Sequence, residues 1–367
     1  MNAAEIAANS ADRQSDRAWV DVLAPFKKPD DARSWMELGV TCLAYIVVWP
    51  LAIFMVGKSV LLTIPLIVIG GALMVRLFVL QHDCGHGALF ASKKVNTWVG
   101  RVLGVITLTP YEYWRKMHAT HHANSGNLKH RGVGDIDTLT VSEYQSLSLF
   151  KRIVYRSYRN PFVMFIFGPA YLYLLRHRWP VGSMNQGKKP WISVFSTNLF
   201  VAILFIALIA IVGWKAFLSV HIPMVVVGGS IGIWMFYVQH QFDDTHWDAP
   251  EDWQHSHAAL HGSSFYDLPK PFMWITGNIG IHHVHHLSSR IAFHRLPAVL
   301  EAHPQLKSMG RLTFWESLKC TRLALWDQKQ SKLVAFSELP KLAKSAKLAE
   351  LEKAAEQVSA SKVSHSR

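Results

Sequence analysis

Two pairs of long apolar runs divide the chain. Residues 38–57 and 59–80 form the first pair, and residues 195–213 and 216–239 the second. Each is close to the roughly 20 residues that a helix rising 1.5 Å per residue needs to cross the hydrocarbon of a bilayer. Pro50 in the first run is tolerated in such helices. Arg76 stands near the C-terminal end of the second, where a long side chain can snorkel. Within each pair the turn is minimal, around Lys58 and around Trp214–Lys215. The pattern predicts two hairpins, with everything else on one side of the membrane. Two shorter apolar stretches, 99–111 and 161–175, carry Pro or Gly breaks and read as interfacial or partly buried helices.

Charge gives that side a direction. Residues 81–194 hold 15 lysines and arginines against five aspartates and glutamates. The positive-inside rule puts this segment, and with it both termini, in the cytoplasm. Residues 1–37 are mixed polar with no long apolar core, so they do not read as a secretory signal, and a bacterial cytoplasmic membrane is the expected location. From Pro340 the chain turns Ala/Lys/Glu/Ser-rich, the composition of a solvated helix that frays. The expected organisation is an N-terminal segment 1–37, one membrane domain 38–335 and a polar tail 336–367.

Composition narrows the class. Half of the 367 residues are hydrophobic and 17% are charged, below the quarter usual in soluble domains. The net charge of +13 is compatible with nucleic acid or an anionic membrane surface. The apolar runs favour the membrane and leave no role for nucleic acid. Cys42, Cys84 and Cys320 lie far apart, which excludes a disulfide scaffold, an iron–sulfur cluster and a Cys-rich zinc site.

Histidine changes the picture. Of 20 histidines, eight fall at short spacings in three clusters. These are His82 and His86 in HDCGH, His118, His121 and His122 in HATHH, and His282, His285 and His286 in HHVHH, which also contains His283. Residues three and four apart share a helix face, so each cluster can aim its imidazoles at one point. One HxxxH pair is common without a metal. Three clusters on the same predicted side are not, because neutral imidazoles facing one another lack donors and a buried unpaired polar group costs roughly 2–7 kcal/mol. Eight ligands exceed a tetrahedral zinc site and suit two metals. HExxH is absent, which removes a metalloprotease base, and so are the Glu-x-x-His pairs of soluble di-iron bundles. If the clusters meet, an even number of spans separates them, so 161–175 should not cross.

Several other residues invite a role. Asp83, Asp243 and Asp244 could accept the second N–H of a ligand ring. Asn278 stands one turn before His282, either near the metal or as a cap. Cys84 and His283 point off the ligand face. His130, His255, His257 and His261 read as surface or loop polar groups. Trp114, Trp247, Trp253 and Trp274 suit membrane interfaces.

The sequence around these histidines resembles the integral-membrane fatty acid desaturases, specifically their bacterial acyl-lipid branch of delta-12 and delta-5 types. The stretches HDCGH, WRKMHATHHANSGNL, GDIDTLTVSEY (134–144), YRSYRNPFVMFIFGP (155–169), FYVQHQFDD (236–244), GSSFYDLPK (262–270), TGNIGIHHVHHLSSRI (276–291) and LALWD (323–327) carry the likeness, over roughly residues 20–335. The resemblance implies an all-α integral membrane fold with a cytoplasmic His-rich di-metal cap. It implies two non-haem irons, O2 as co-substrate, electrons from an external donor of ferredoxin type, and an acyl chain of a membrane phospholipid or glycolipid as substrate. It also implies a ninth ligand after the last span, for which His240 matches by position and His246 is the rival. A fatty acyl hydroxylase or carotenoid oxygenase would use the same ligand set.

Overall fold

The computed structural model describes residues 18–132, 134–345 and 347. The distal part of the N-terminal segment and the polar tail beyond Lys347 lie outside the described residues. Among the described residues, four helices are long and apolar enough to cross a membrane. They are α1 (Asp31–Met55) and α2 (Val60–His86), joined by a short turn through Gly57, and, further along, a second such pair. Between the pairs lie α3 (Lys93–Ile106), α4 (Tyr111–Asn124) and α5 (Leu149–Tyr158). The second pair is α6 (Lys188–Val212) and α7 (Trp214–His240), with Gly213 between them. Short helices follow, among them α8 (His255–His261) and α9 (His282–Leu287).

α2 and α7 pack along each other, while α1 and α6 flank them and turn apolar side chains outward. Leu43, Ile46, Ile206 and Ile211 are all largely exposed. In water such faces would be costly; they are what a lipid-facing surface requires. Small residues let the central pair approach. A Cβ on Gly71 would lie 2.7 Å from Val227 Cγ1, and one on Gly228 would lie 2.8 Å from the Gly71 carbonyl oxygen.

Length explains how the spans build a site. α2 and α7 have 27 residues each, about 40 Å at 1.5 Å per residue, against about 30 Å of hydrocarbon. The apolar run of α2 stops at Leu80, and its last turns carry His82 and His86 beyond it. α7 ends on His240.

The 163–175 stretch is helical with two π-helical segments, Val163–Phe167 and Tyr171–Leu175. It is too short to span and lies beside α7, where a Cβ on Gly229 would meet Pro169 and Tyr173. The partly buried reading of this stretch therefore holds. Two small sheets brace the cap: β1 (Leu139–Thr140) runs parallel to β4 (Leu323–Asp327), which pairs antiparallel with β5 (Lys332–Ala335), and β2 (Phe265–Asp267) runs parallel to β3 (Arg311–Thr313). Phe336 packs on Tyr144, ring centroids 5.3 Å apart.

Arg76 departs from expectation. It does not snorkel: it is 1% exposed, pairs with buried Glu37 of α1, donates to Thr41 Oγ1 and lies over the Trp274 ring. A partner on the neighbouring helix is an alternative to reaching water.

Candidate metal centre

The three histidine clusters converge, and they regroup as they do. His82, His86, His118, His122 and His285 place ligand atoms within 4.8 Å of one another; His121, His240, His282 and His286 form a second such group. Adjacent histidines separate because consecutive helix positions point about 100° apart. His121 and His122 of α4 therefore go to different groups, as do His286 and His285 of α9. The groups abut, with the rings of His122 and His286 stacked at 4.0 Å.

The spacing inside each group tests for a metal. His118 Nε2 lies 3.0 Å from the Nε2 atoms of both His86 and His122, and His285 Nε2 is 3.2 Å from that of His122. In the second group His240 Nε2 is 3.1 Å from His121 Nε2 and 3.0 Å from His282 Nε2. One N–H cannot satisfy two such neighbours at once. Two nitrogens bound at about 2.1 Å to one ion stand about 3.0 Å apart at a right angle and about 3.4 Å apart at a tetrahedral one. The observed separations fit ligands sharing an ion.

The electrostatics agree. Burial holds His118, His122, His282, His285 and His286 well below the usual histidine range, with the neighbouring rings adding to the effect. His121 is pushed down to about 3 by the same burial. Neutral imidazole is the metal-binding form.

Local structure aims the rings. On α9, Val284 and Leu287 face an apolar core while His282, His285 and His286 face the opposite way. On α4, Tyr111 anchors the helix by donating its hydroxyl to the Cys84 carbonyl at 2.8 Å. Asp83 is fully buried; the His82 Nδ1–H donates to its Oδ1 at 3.0 Å and the Phe293 N–H to its Oδ2 at 2.6 Å. This is the orienting role read from the sequence.

Asp243 and Asp244 do not share that role: both are exposed. The Gly262 carbonyl and Ser125 Oγ stand beside His240 Nδ1 instead, each at 3.4 Å. A backbone oxygen leaves no sequence signal, and Ser125 stood unremarked three residues after the second box. Asn278 adopts a left-handed φ of 52° and donates to the Phe293 carbonyl, so it shapes a turn. His283 donates to the Leu306 carbonyl, off the ligand face, and His130 is exposed. His246 is in neither group; it stands with Asp248 and His257. Trp247 is buried and stacked on Trp326 at 4.9 Å rather than placed at a membrane interface. Trp114 stacks on His118 at 4.6 Å and 15°.

A cavity of about 680 Å³ opens against the groups. Its walls are mainly apolar, from Val75, Phe78, Trp114, Tyr173 and Phe236, and His82, His118 and His282 reach it. Those three come from both groups. Asp135, another lining residue, has its carboxyl pushed up by burial.

Comparison with known proteins decides the family. A family model described as fatty acid desaturase matches residues 58–317. The chain belongs to the fatty acid desaturase family. It is 41% identical over 314 residues to the fatty acid desaturase of Bacillus subtilis (strain 168), covering 86% of this chain and 89% of that protein. Two desaturases of Synechocystis sp. are more distant. The sn-1 acyl-lipid omega-3 desaturase (ferredoxin) is 29% identical over 64% of this chain and 65% of its own. The sn-1 oleoyl-lipid 12-desaturase is 28% identical over 65% of this chain and 66% of its own. This desaturase is accordingly an oxidoreductase with membrane-type helices and histidine groups suited to a metal cofactor.

Proposed function

We propose that the chain is an O2-dependent acyl-lipid desaturase that inserts a cis double bond into the acyl chain of a membrane lipid. The observation that carries this is the convergence of five and four imidazoles beside an apolar cavity. The groups are proposed to hold two irons, one by His82, His86, His118, His122 and His285, the other by His121, His240, His282 and His286. Bound irons would supply the oxidising power that breaks unactivated C–H bonds, which side-chain acids and bases lack. Overall, two hydrogens leave neighbouring methylenes and, with two electrons and two protons from a donor, O2 becomes two waters.

The chain's own residues supply the rest. Val75, Phe78, Tyr173 and Phe236 would bind the acyl chain by excluding water, at about 0.8 kcal/mol per buried methylene. Trp114 and Phe78, with rings 5.1 Å apart and edge-on, would fix its course past His82 and His118. Asp83 holds His82 in one tautomer. The active site and both termini are assigned to the cytoplasmic face on the excess of lysine and arginine in 81–194, and the membrane domain to residues 38–335. A ferredoxin-type donor is inferred, supported by the name of one Synechocystis relative.

Expression in a bacterium with simple lipids, followed by gas chromatography–mass spectrometry of total fatty acids, tests the reading. A new unsaturated chain that needs aeration and is lost in His121→Ala is the expected result. A hydroxylated chain, or an altered carotenoid, would replace the desaturase by another oxidation at the same site.

A further inference from the structure

A second set of donors stands where the loop after α7 meets α8. His246 Nε2, a carboxylate oxygen of Asp248 and a ring nitrogen of His257 lie within 4.8 Å of one another. His246 Nε2 is 2.9 Å from Asp248 Oδ1, and the His246 and His257 rings meet edge-on with centroids 5.3 Å apart. His257 is held from below by His261, one helical turn on, whose ring lies 4.4 Å away. None of these side chains belongs to the nine-histidine groups, and none lines the cavity.

The scaffold under the donors is already fixed. The Asp248 N–H donates to the Gly126 carbonyl at 2.8 Å, and the Leu128 N–H donates to the Asp248 carbonyl at 3.0 Å. The His246 N–H donates to the His261 carbonyl, also at 3.0 Å. Two stretches far apart in sequence thus meet here: the turn after α4, and the loop after α7 with the α8 that follows it. Little backbone freedom remains to be lost on binding an ion. Two imidazoles and one carboxylate are a zinc-type donor set, and His246 and His257 are half-exposed, so solvent can complete the coordination.

We propose that His246, Asp248 and His257 bind one zinc-type divalent cation, separate from the nine-histidine centre, which clamps α8 to the loop after α7. The clamp has a reach into the main site. Gly262 caps the C-terminal end of α8, and its carbonyl stands 3.4 Å from His240 Nδ1. Fixing α8 fixes the group that orients His240. The proposal does not depend on which metals, or which reaction, the nine histidines serve.

The test uses the full-length protein in detergent, stripped with chelator, loaded with Co2+ or Zn2+ and desalted before metal analysis. His257→Ala and the milder His246→Asn are each expected to hold about one ion per chain fewer than wild type. Both are expected to lose the visible Co2+ absorption of a tetrahedral site, and the zinc-dependent part of thermal stability. His285→Ala is expected to keep that absorption. Because the readout is a difference between variants, it stands whatever the total metal content. Equal metal content and equal Co2+ spectra in wild type and His246→Asn would overturn the proposal and leave the His246–Asp248 contact as a hydrogen-bonded latch.

Discussion

Gly232 offers the sharpest test of where the acyl chain lies. It is on α7, lines the cavity, and a Cβ there would have only the Tyr173 hydroxyl within 4 Å, at 3.8 Å. A side chain at this position therefore enters the cavity instead of colliding with backbone. Gly229, one turn earlier, is different, since its Cβ would strike Pro169 and Tyr173 at 2.8 Å. Gly232→Leu adds four carbons, the space of about four methylenes, and each methylene excluded from an apolar site costs about 0.8 kcal/mol. The long chain loses about 3 kcal/mol of binding, close to a hundredfold in kcat/KM, relative to one about four carbons shorter. Exchanging Gly for Leu inside a helix favours the helix by up to about 1 kcal/mol, so folding should survive. The assay is competition between lipids with acyl chains of graded length, read by mass spectrometry of the products. Unchanged chain-length preference in a stably inserted Gly232→Leu protein would refute the placement of the chain in this cavity.

Further outcomes follow from single contacts. Asp83→Asn keeps the size of the side chain but removes the charge that orients His82, and is expected to weaken metal binding about 10–100-fold in a competition titration; unchanged affinity would count against that role. Arg76→Met leaves buried Glu37 with only the half-exposed Arg33 as its ion-pair partner and is expected to destabilise the protein in detergent unfolding by less than the roughly 3–5 kcal/mol of a wholly unpaired buried charge, whereas the double variant Arg76→Met/Glu37→Leu should recover much of the loss. His177, buried beside the cavity, is pushed down to about 3 by burial, with Arg178 and Arg176 adding to the effect. Its unfolded form takes up a proton near pH 6.5 while the folded form does not, so stability is lost as pH falls through that window. The loss is about 2 kcal/mol between pH 7 and pH 5. His177→Gln should show correspondingly less acid sensitivity in thermal melts, and an unchanged pH profile would remove His177 from the account.

Periodicity made much of this molecule legible. The four apolar runs become α1, α2, α6 and α7, and all eight box histidines fall in one or other of the two close groups, with His240 beside them and His246 elsewhere. The division into five and four was not legible. Sequence neighbours such as His121 and His122 look like one cluster, and only the angle between successive helix positions sends them to different groups. Long-range partners were also hidden. Arg76 finds Glu37 across 39 residues, and nothing local distinguishes that from an arginine reaching for water. Trp247 was read by type, but its partner Trp326 arrives from β4, which pairs with a strand nearly 190 residues earlier in the chain. Asp243 and Asp244 had the right chemistry beside α7, yet the loop turns them to solvent, and the groups beside His240 are a backbone carbonyl and a serine.

The two histidine groups are proposed to form one oxidising centre acting on a chain in the adjoining cavity. Its most direct test is turnover in proteoliposomes, with the iron-loaded protein, a ferredoxin-type electron donor, and a phospholipid whose acyl chain is fully deuterated. Mass spectrometry of the lipid and O2 uptake would be followed together. The expected result is loss of two deuteriums from neighbouring carbons, one O2 consumed per double bond formed, and neither event in His285→Ala. A product that retains oxygen, or full turnover in His285→Ala, would contradict it.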